Sequence, residues 1–549
     1  MTPGGRLASV AAFAAVAAGA VAAALPEALV RVQLPNDVVL YVSAAHSWIH
    51  GAGLVSPLLY SYYLGDVSPP VAAFAIHAPV VSVLFAGVLK LGAGLAELGI
   101  VHVAWSSLIG ASILFLARTS LSLPSAAAVA ILVSWSESWG RAATLLLPDA
   151  TAVGVLLLLL AAAPRGLESV RGALLLAFLT LLAWLTRPNL GAFAPIFLAA
   201  ACLDRGPRAA LRSRALWVYA VVFFLLHRSV VVGTDLVTGL APYAHYGIML
   251  ETLSWEEVPR YQAEYRGALA FASGHLGELL AFAWQNLQRA AVVAFQPANL
   301  FVGVVAVPGV LDGLLRRGPG VFRQRLVALA AVGLTAVAVL TGWGFDDRYL
   351  LPGFVCGWLA GIVALERWLL RLARARNAPA DPARWVPGAV LALALLVVAG
   401  AVGPAATQRL RFVAGGGHET QVRLQSGAVW DAPNRTFCGR MDPDALVASP
   451  DPYGVLYWCG NAGYLLPPDL DGPERLDRYL DERTPGYLAS NDPDLLRLFR
   501  ASERLELRAS RGRAALFRVI EPHPDSRPWR SPGPLAALGP PAGVGRSGP

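Results

Sequence analysis

The sequence predicts an all-α polytopic membrane protein of about 11 transmembrane helices with a small C-terminal α/β domain, and three observations carry that prediction. Of 549 residues, 56% are apolar and only 15% charged, whereas soluble domains carry about 25% charged residues. Apolar runs near the length a bilayer demands recur along the first four hundred residues. Beyond residue 406 the chain turns polar and alternates short strand-like and helix-like segments. A mean hydropathy of +0.54 excludes a disordered chain, a disulfide-stapled mini-domain and an ordinary cytosolic enzyme.

The candidate spans are 8–30, 98–117, 123–140, 149–163, 172–186, 190–203, 213–233, 290–311, 326–343, 349–365 and 386–406. A further apolar run, 71–95, follows Pro69-Pro70 and is broken by His77, Pro79 and Lys90. Charge decides its fate. With 71–95 outside the membrane and the N-terminus cytoplasmic, the inner loops hold 17 basic residues in about 65, and the outer loops 8 in about 145. Making 71–95 a span would move the most basic loops outward, so it reads as an external juxtamembrane or re-entrant segment. The first run exceeds 20 residues and ends in Pro26-Glu27 rather than a small-residue cleavage site, which fits a retained span. The +8 net charge therefore reports topology and gives no reason to expect nucleic acid.

The expected organisation is a transmembrane domain over 1–406 with external loops 31–97 and 234–289, an extracytoplasmic α/β domain over 407–520, and a disordered Pro/Gly/Ser-rich tail over 521–549. An amphipathic helix is expected around 256–287. In the α/β domain, strands are expected at 445–449, 486–489, 505–509 and 514–520, with helices at 474–482 and 492–500. Cys202 and Cys356 lie in apolar spans. Cys438 and Cys459 fall in the external domain, where an oxidising space favours a disulfide. No internal repeat is visible, which weighs against repeat-built transporters.

Ionisable groups at the ends of spans need a reason to be there. Asp37 stands just past the first span in Leu34-Pro35-Asn36-Asp37-Val38-Val39-Leu40-Tyr41. It reads equally as a general base toward a hydroxyl or amine and as a helix N-cap. Asp149, in Leu147-Pro148-Asp149-Ala150, carries the same two readings. Glu137 and Arg141, one turn apart, fit an ion pair. Arg187 in Thr186-Arg187-Pro188 and Arg348 in Asp347-Arg348-Tyr349-Leu350 suit phosphate through bidentate hydrogen bonds, or simply snorkel or pair with Asp346 or Asp347; Arg228 is a weaker candidate of the same kind. His46 and His50 share an i, i+4 spacing that can hold a metal or contact substrate. No zinc-protease helix, phosphate-binding P-loop, lipase-type serine elbow or dinucleotide fingerprint occurs.

In order, these pieces resemble the GT-C superfamily of membrane glycosyltransferases, and within it bacterial relatives of the protein O-mannosyltransferases and of the lipid A aminoarabinose transferase. The resemblance rests on Asp37 with Tyr41 and Ala45, His50-Gly51-Ala52-Gly53-Leu54, Pro69-Pro70 leading to Leu91-Gly92, Pro148-Asp149-Ala150 and Leu185-Thr186-Arg187-Pro188. It continues in Arg348-Tyr349-Leu350-Leu351-Pro352 and in Leu456-Tyr457-Trp458-Cys459-Gly460-Asn461 before Tyr464-Leu465-Leu466-Pro467. It implies a polyprenyl-phosphate-linked sugar as donor and a lipid, glycan or protein acceptor, with inversion at the anomeric carbon on the outer face of the plasma membrane. Asp37 would be the catalytic base and Asp149 a supporting acid. Arg187 and Arg348 would hold the phosphate, with Tyr349, Tyr41 and His50 also on substrate. Asn36 stands where many relatives have a second acid, which leaves a divalent metal open, and Lys90 is the only lysine available to touch phosphate. The competing readings are a transporter or flippase, which should carry polar groups at the membrane midplane, and a non-catalytic relative.

Overall fold

The computed structural model describes residues 3–34, 36–56, 58–59, 71–72, 79–232, 273–295, 300–316, 321–341, 347–375, 381–414, 421–424, 431–467, 470–520 and 534–538. The chain forms two compact units. One comprises Met1–Val30, Gly99–Val230 and Leu280–Glu419, the other Arg31–Leu98, Val231–Leu279 and Thr420–Pro549. The protein is a polytopic membrane protein with a small C-terminal sheet. His77, and residues 234–272 of the long loop, lie outside the described residues.

The first unit is helical. Among the described residues, six helices are long and apolar enough to cross a bilayer: those within Gly4–Pro26, Leu95–Ala117, Asp149–Glu168, Phe322–Leu340, Arg348–Ala375 and Pro382–Gly400. Shorter apolar helices, Leu123–Ser134, Val170–Thr186 and Gly303–Leu315, pack among them. The large side chains Phe178, Trp217, Phe224 and Leu396 stay exposed, as expected where the solvent is lipid. Phe193, Phe197 and Tyr219 are fully buried, and the Tyr219 hydroxyl lies 3.2 Å from that of Thr180 on a neighbouring helix. Elsewhere in the bundle the Asn286 amide donates to the Val339 carbonyl at 3.0 Å.

Small residues set the closest approaches. On the helix Leu351–Ala375, Gly353, Gly357 and Gly361 recur every fourth residue and face Thr335, Ala306 and Val305 on neighbouring helices. A Cβ placed on Gly309 would run into the backbone of Ala360 and Gly361. Without a hydrophobic drive between helices in lipid, such contacts carry the association.

Three span boundaries differ from expectation. The run 123–140 breaks after Ser134, because the Ser136 hydroxyl caps a new helix, Glu137–Thr144, accepting from the Trp139 N–H at 3.3 Å. The run 290–311 falls on two helices, Leu276–Phe295 and Leu300–Leu315, with Pro297 in the sequence between them. The run 213–233 ends as an α-helix at His227 and continues as a π turn over Arg228–Val232.

The second unit is mixed. Its six-stranded sheet runs Leu58–Leu59, Gly463–Leu465, Val447–Ser449, Tyr487–Ser490, Ala514–Val519, Leu505–Arg511 in spatial order. The first four strands are parallel and the last two antiparallel. The helix Pro473–Arg483 buries Leu476, Tyr479 and Leu480, an i, i+3, i+4 stripe. Pro493–Ala501 is capped by Asp492, whose carboxylate accepts from the Asp494 and Leu495 N–H groups at 2.8 and 3.2 Å. The last two strands meet at Gly512, whose φ of +59° suits a tight turn. The strands Leu58–Leu59 and Gly463–Leu465 were absent from the sequence reading; two or three residues are too short to show periodicity. Cys438 and Cys459, each the last residue of a short helix, are joined by a disulfide. Within the tail expected to be disordered, Leu535–Leu538 forms a 3₁₀ turn with Leu535 buried. The apolar segment 71–95 contributes a helix of 11 residues, Val80–Lys90, too short to cross a bilayer, and it packs on the helix Asn36–Ile49.

The glycine contacts generate a paired expectation. Gly309→Ala should lower stability by about 1–3 kcal/mol through overpacking, whereas Gly388→Ala, with open space around it, should be neutral or slightly stabilising. Thermal unfolding of both variants in one detergent separates them; equal midpoints would contradict the packing argument.

Candidate active site

Three helix ends meet in the helical unit. Between the helices Glu137–Thr144 and Asp149–Glu168, the chain turns through Leu146, a buried leucine at φ +56°. A bulky residue in this left-handed region is costly and persists only when its surroundings hold it there. His102, buried on the helix Leu95–Ala117, does part of that holding. Its Nδ1 lies 2.8 Å from the Ala143 carbonyl and its Nε2 3.2 Å from that of Leu147. The ring thus ties one span to the turn that presents Asp149.

Asp149 is the first residue of its helix, after Pro148 at the cap position, and no side-chain cap bond forms there. Its carboxylate is fully buried, and Oδ1 accepts from the guanidinium of Arg187. The other oxygen, Oδ2, is a buried acceptor without a hydrogen-bond partner among the described residues. Arg187 follows the helix Val170–Thr186 in an extended conformation, φ −158°, which turns its side chain away from the helix axis. Its guanidinium lies 4.8 Å from the centre of the Tyr349 ring. Arg348 lies 5.1 Å from that same ring and donates to the Tyr349 hydroxyl at 3.3 Å. Both residues sit on the turn Asp347–Leu350 that leads into Leu351–Ala375. The Tyr349 ring lies near both cations and stabilises each.

In the second unit, Asp37 lies in the first turn of Asn36–Ile49 and is half-buried. Tyr41, one turn on, shares its face and is buried. At about 100° per residue, His46 and His50 fall on the opposite face, so the structure does not bring His50 to Asp37 and Tyr41. The two imidazoles lie 4.3 Å apart, and the His50 Nδ1 donates to the His46 carbonyl at 2.9 Å. Burial, and then the neighbouring charge of His50, push the His46 pKa down to about 4. Among the described residues no three His, Cys, Asp or Glu side chains converge as a metal site would require.

The structure therefore gathers Asp149, Arg187, Arg348 and Tyr349 into one cluster and places Asp37 with Tyr41 on one helix face of the other unit. Arg228 lies on the π turn, and Glu137 and Arg141 line a cavity of about 250 Å³ with Trp135 and Trp358. His102 was missed by the sequence reading; a histidine inside an apolar span was the signal available. The segment Cys459-Gly460-Asn461 has a structural task. Gly460 ends a helix at φ +79°, and the Asn461 amide donates to the carbonyls of Asp442, Pro443 and Ala445.

The sequence matches no family model and no curated protein. Solved structures do match. ArnT from Cupriavidus metallidurans bound to undecaprenyl phosphate superposes with a TM-score of 0.51 at 16% identity, covering 92% of this chain and 97% of that one. The oligosaccharyltransferase of Archaeoglobus fulgidus in its apo form gives 0.55 at 13% identity, over 88% and 69%. The same archaeal enzyme with an inhibitory peptide and a dolichol-phosphate gives 0.51 at 14%, over 87% and 69%. The chain has the GT-C fold. Within that GT-C fold, the cluster at Asp149 occupies helix ends rather than the middle of the spans.

Two outcomes are expected of these groups. Asp149→Asn should cost about 3–5 kcal/mol, because it removes the carboxylate charge paired with the buried Arg187, while a double Asp149→Leu, Arg187→Leu variant should recover most of that loss. A double-mutant cycle on unfolding midpoints measures it, and additive losses would deny the pair. For His46, the unfolded chain takes up a proton near 6.5 and the folded one only near 4. Its contribution to stability is thus complete above about pH 6.5 and is lost as the pH falls toward 4. His46→Gln should flatten the unfolding midpoint across that window; an unchanged slope would remove His46 as its source.

Proposed function

We propose that this chain is an integral-membrane glycosyltransferase that moves a sugar from a polyprenyl-phosphate donor to an acceptor on the extracytoplasmic face. The observation that carries the reading is the pair of guanidiniums, Arg187 and Arg348, held against one tyrosine ring beside a buried carboxylate, in a fold shared with proteins solved bound to undecaprenyl phosphate and dolichol-phosphate.

The chemistry is a displacement at the anomeric carbon. The acceptor hydroxyl or amine forms the new bond, the carbon–oxygen bond to phosphate breaks, and polyprenyl phosphate leaves with the electron pair. Asp37 takes the acceptor's proton. Arg187 and Arg348 neutralise the charge that grows on the leaving phosphate, and planar guanidiniums suit its oxygens. Asp149 is the supporting acid that holds the Arg187 guanidinium in place. Because phosphate is a competent leaving group, one base and correct placement supply most of the catalysis required.

The test uses purified protein in detergent with a panel of radiolabelled polyprenyl-phosphate sugars and added membrane extract, reading release of polyprenyl phosphate. Wild type should release it, Asp37→Asn should not, and Arg348→Ala should raise the donor concentration required by about tenfold, the value of one charged hydrogen bond. Full turnover by Asp37→Asn would remove Asp37 as the base. No release with any donor would overturn the enzyme reading.

A further inference from the structure

At the ends of the helices opposite Asp149 lies a second polar feature that sugar transfer does not use. Arg165 closes the helix that Asp149 opens, and Arg367 lies far along the helix that begins after Tyr349. At 1.5 Å per residue, each is about 25 Å from the cluster, close to the thickness of a bilayer's hydrocarbon core. There a cleft opens among the helices Leu95–Ala117, Leu300–Leu315, Phe322–Thr341 and Leu351–Ala375. Its floor is apolar, formed by Leu116, Val327, Leu359 and Val363. Arg323, Gln324 and Arg367 stand among the same walls.

Among the described residues around this cleft, cations outnumber carboxylates. Arg316 and Arg371 act electrostatically on Arg367, and Arg165 on Arg323. Against these cations the cleft offers the carboxylate of Asp312, which accepts from Arg367 at 2.9 Å. Nearby, Glu366 is already engaged, accepting from the Ser122 hydroxyl at 3.1 Å. Several buried polar atoms remain unsatisfied. The Arg323 Nε, the Arg316 Nη1 and the Gln324 Oε1 have no hydrogen-bond partner among the described residues. Buried donors on crowded cations call for an anion, and guanidinium forks suit phosphate oxygens. An apolar floor beneath them disfavours a hydrated inorganic ion and suits an amphiphile.

We propose that the arginines of this cleft hold the phosphate head of an anionic glycerophospholipid from the leaflet opposite the Asp149 cluster. Basic pockets between spans hold such headgroups through the same charge and the same apolar continuity. The site is distinct from any donor site at Arg187 and Arg348, and it stands whether or not the chain transfers sugar.

Native mass spectrometry of the full chain in neutral detergent tests it, with phosphatidylglycerol and phosphatidylcholine of identical chains as probes. Wild type should retain phosphatidylglycerol in preference to phosphatidylcholine by about tenfold or more, from roughly 1 kcal/mol per arginine at the headgroup. Arg323→Gln combined with Arg367→Gln should abolish most of the preference, and Arg348→Ala, at the other end, should keep it. Asp312→Asn removes the competing carboxylate and should raise retention, which decides the matter if the double variant does not fold. Equal retention of the two lipids, or unchanged retention in Asp312→Asn, would overturn the proposal. So would displacement by inorganic phosphate alone, or stronger retention of a polyprenyl phosphate, since either assigns the cleft to a different ligand.

Discussion

The buried pair of Asp149 and Arg187 is the constraint on which the helical unit turns. In a medium without water, a lone carboxylate or guanidinium costs several kcal/mol, and the pair is tolerable only while its geometry holds. That geometry requires the start of one helix, the end of the next and the turn before Leu351–Ala375 to stay in place together. Gly353 and Gly361 let the last of these helices lie hard against its neighbours. His102 and the left-handed Leu146 fix the turn leading to Asp149. A strained leucine and a histidine bridging two carbonyls would be poor choices for stability alone. They make sense as the supports of a carboxylate that must not move.

Much of this was legible in the sequence, and the parts that were not share a cause. Hydropathy finds apolar length, so the long apolar helices emerged, and charge asymmetry reads 71–95 as external, where the described residues include the short helix Val80–Lys90. Hydropathy does not see interruptions. Residues 123–140 and 290–311 read as single runs, because their apolar composition hides the cap at Ser136 and the helix end at Phe295. The choice between capping and pairing at Asp149 was equally beyond local pattern. Pro148-Asp149 has the signature of a helix start, and it is one. What the carboxylate does there is decided by Arg187, thirty-eight residues away.

The helix Asn36–Ile49 shows the same limit from the other side. A family pattern read along the chain brackets Asp37, Tyr41 and His50 in one motif. Helical geometry separates them, with the acid and tyrosine on one face and the histidines on the other. The histidine face has its own logic, since the His50 ring is committed to the His46 carbonyl and His46 is held neutral by burial. Their i, i+4 spacing, which in sequence suits a metal, is used here to set two tilted rings against each other at the end of the helix.

The choice of arginine at 187 and 348 follows from what each must do at once. Arg187 pairs with Asp149 through one edge of its guanidinium while the flat of the group lies near Tyr349. Arg348 bonds the Tyr349 hydroxyl and lies near the same ring. A planar group with five donors can satisfy a carboxylate, lie against an aromatic ring and still present N–H groups to a third partner. A lysine ammonium, compact and strongly hydrated, can do one of these well. In a chain with one lysine, the bias toward arginine has a compositional origin, yet at these two positions the geometry would select arginine regardless. Arginine at both positions is thus what lets one aromatic ring and one carboxylate organise two cations in the same place.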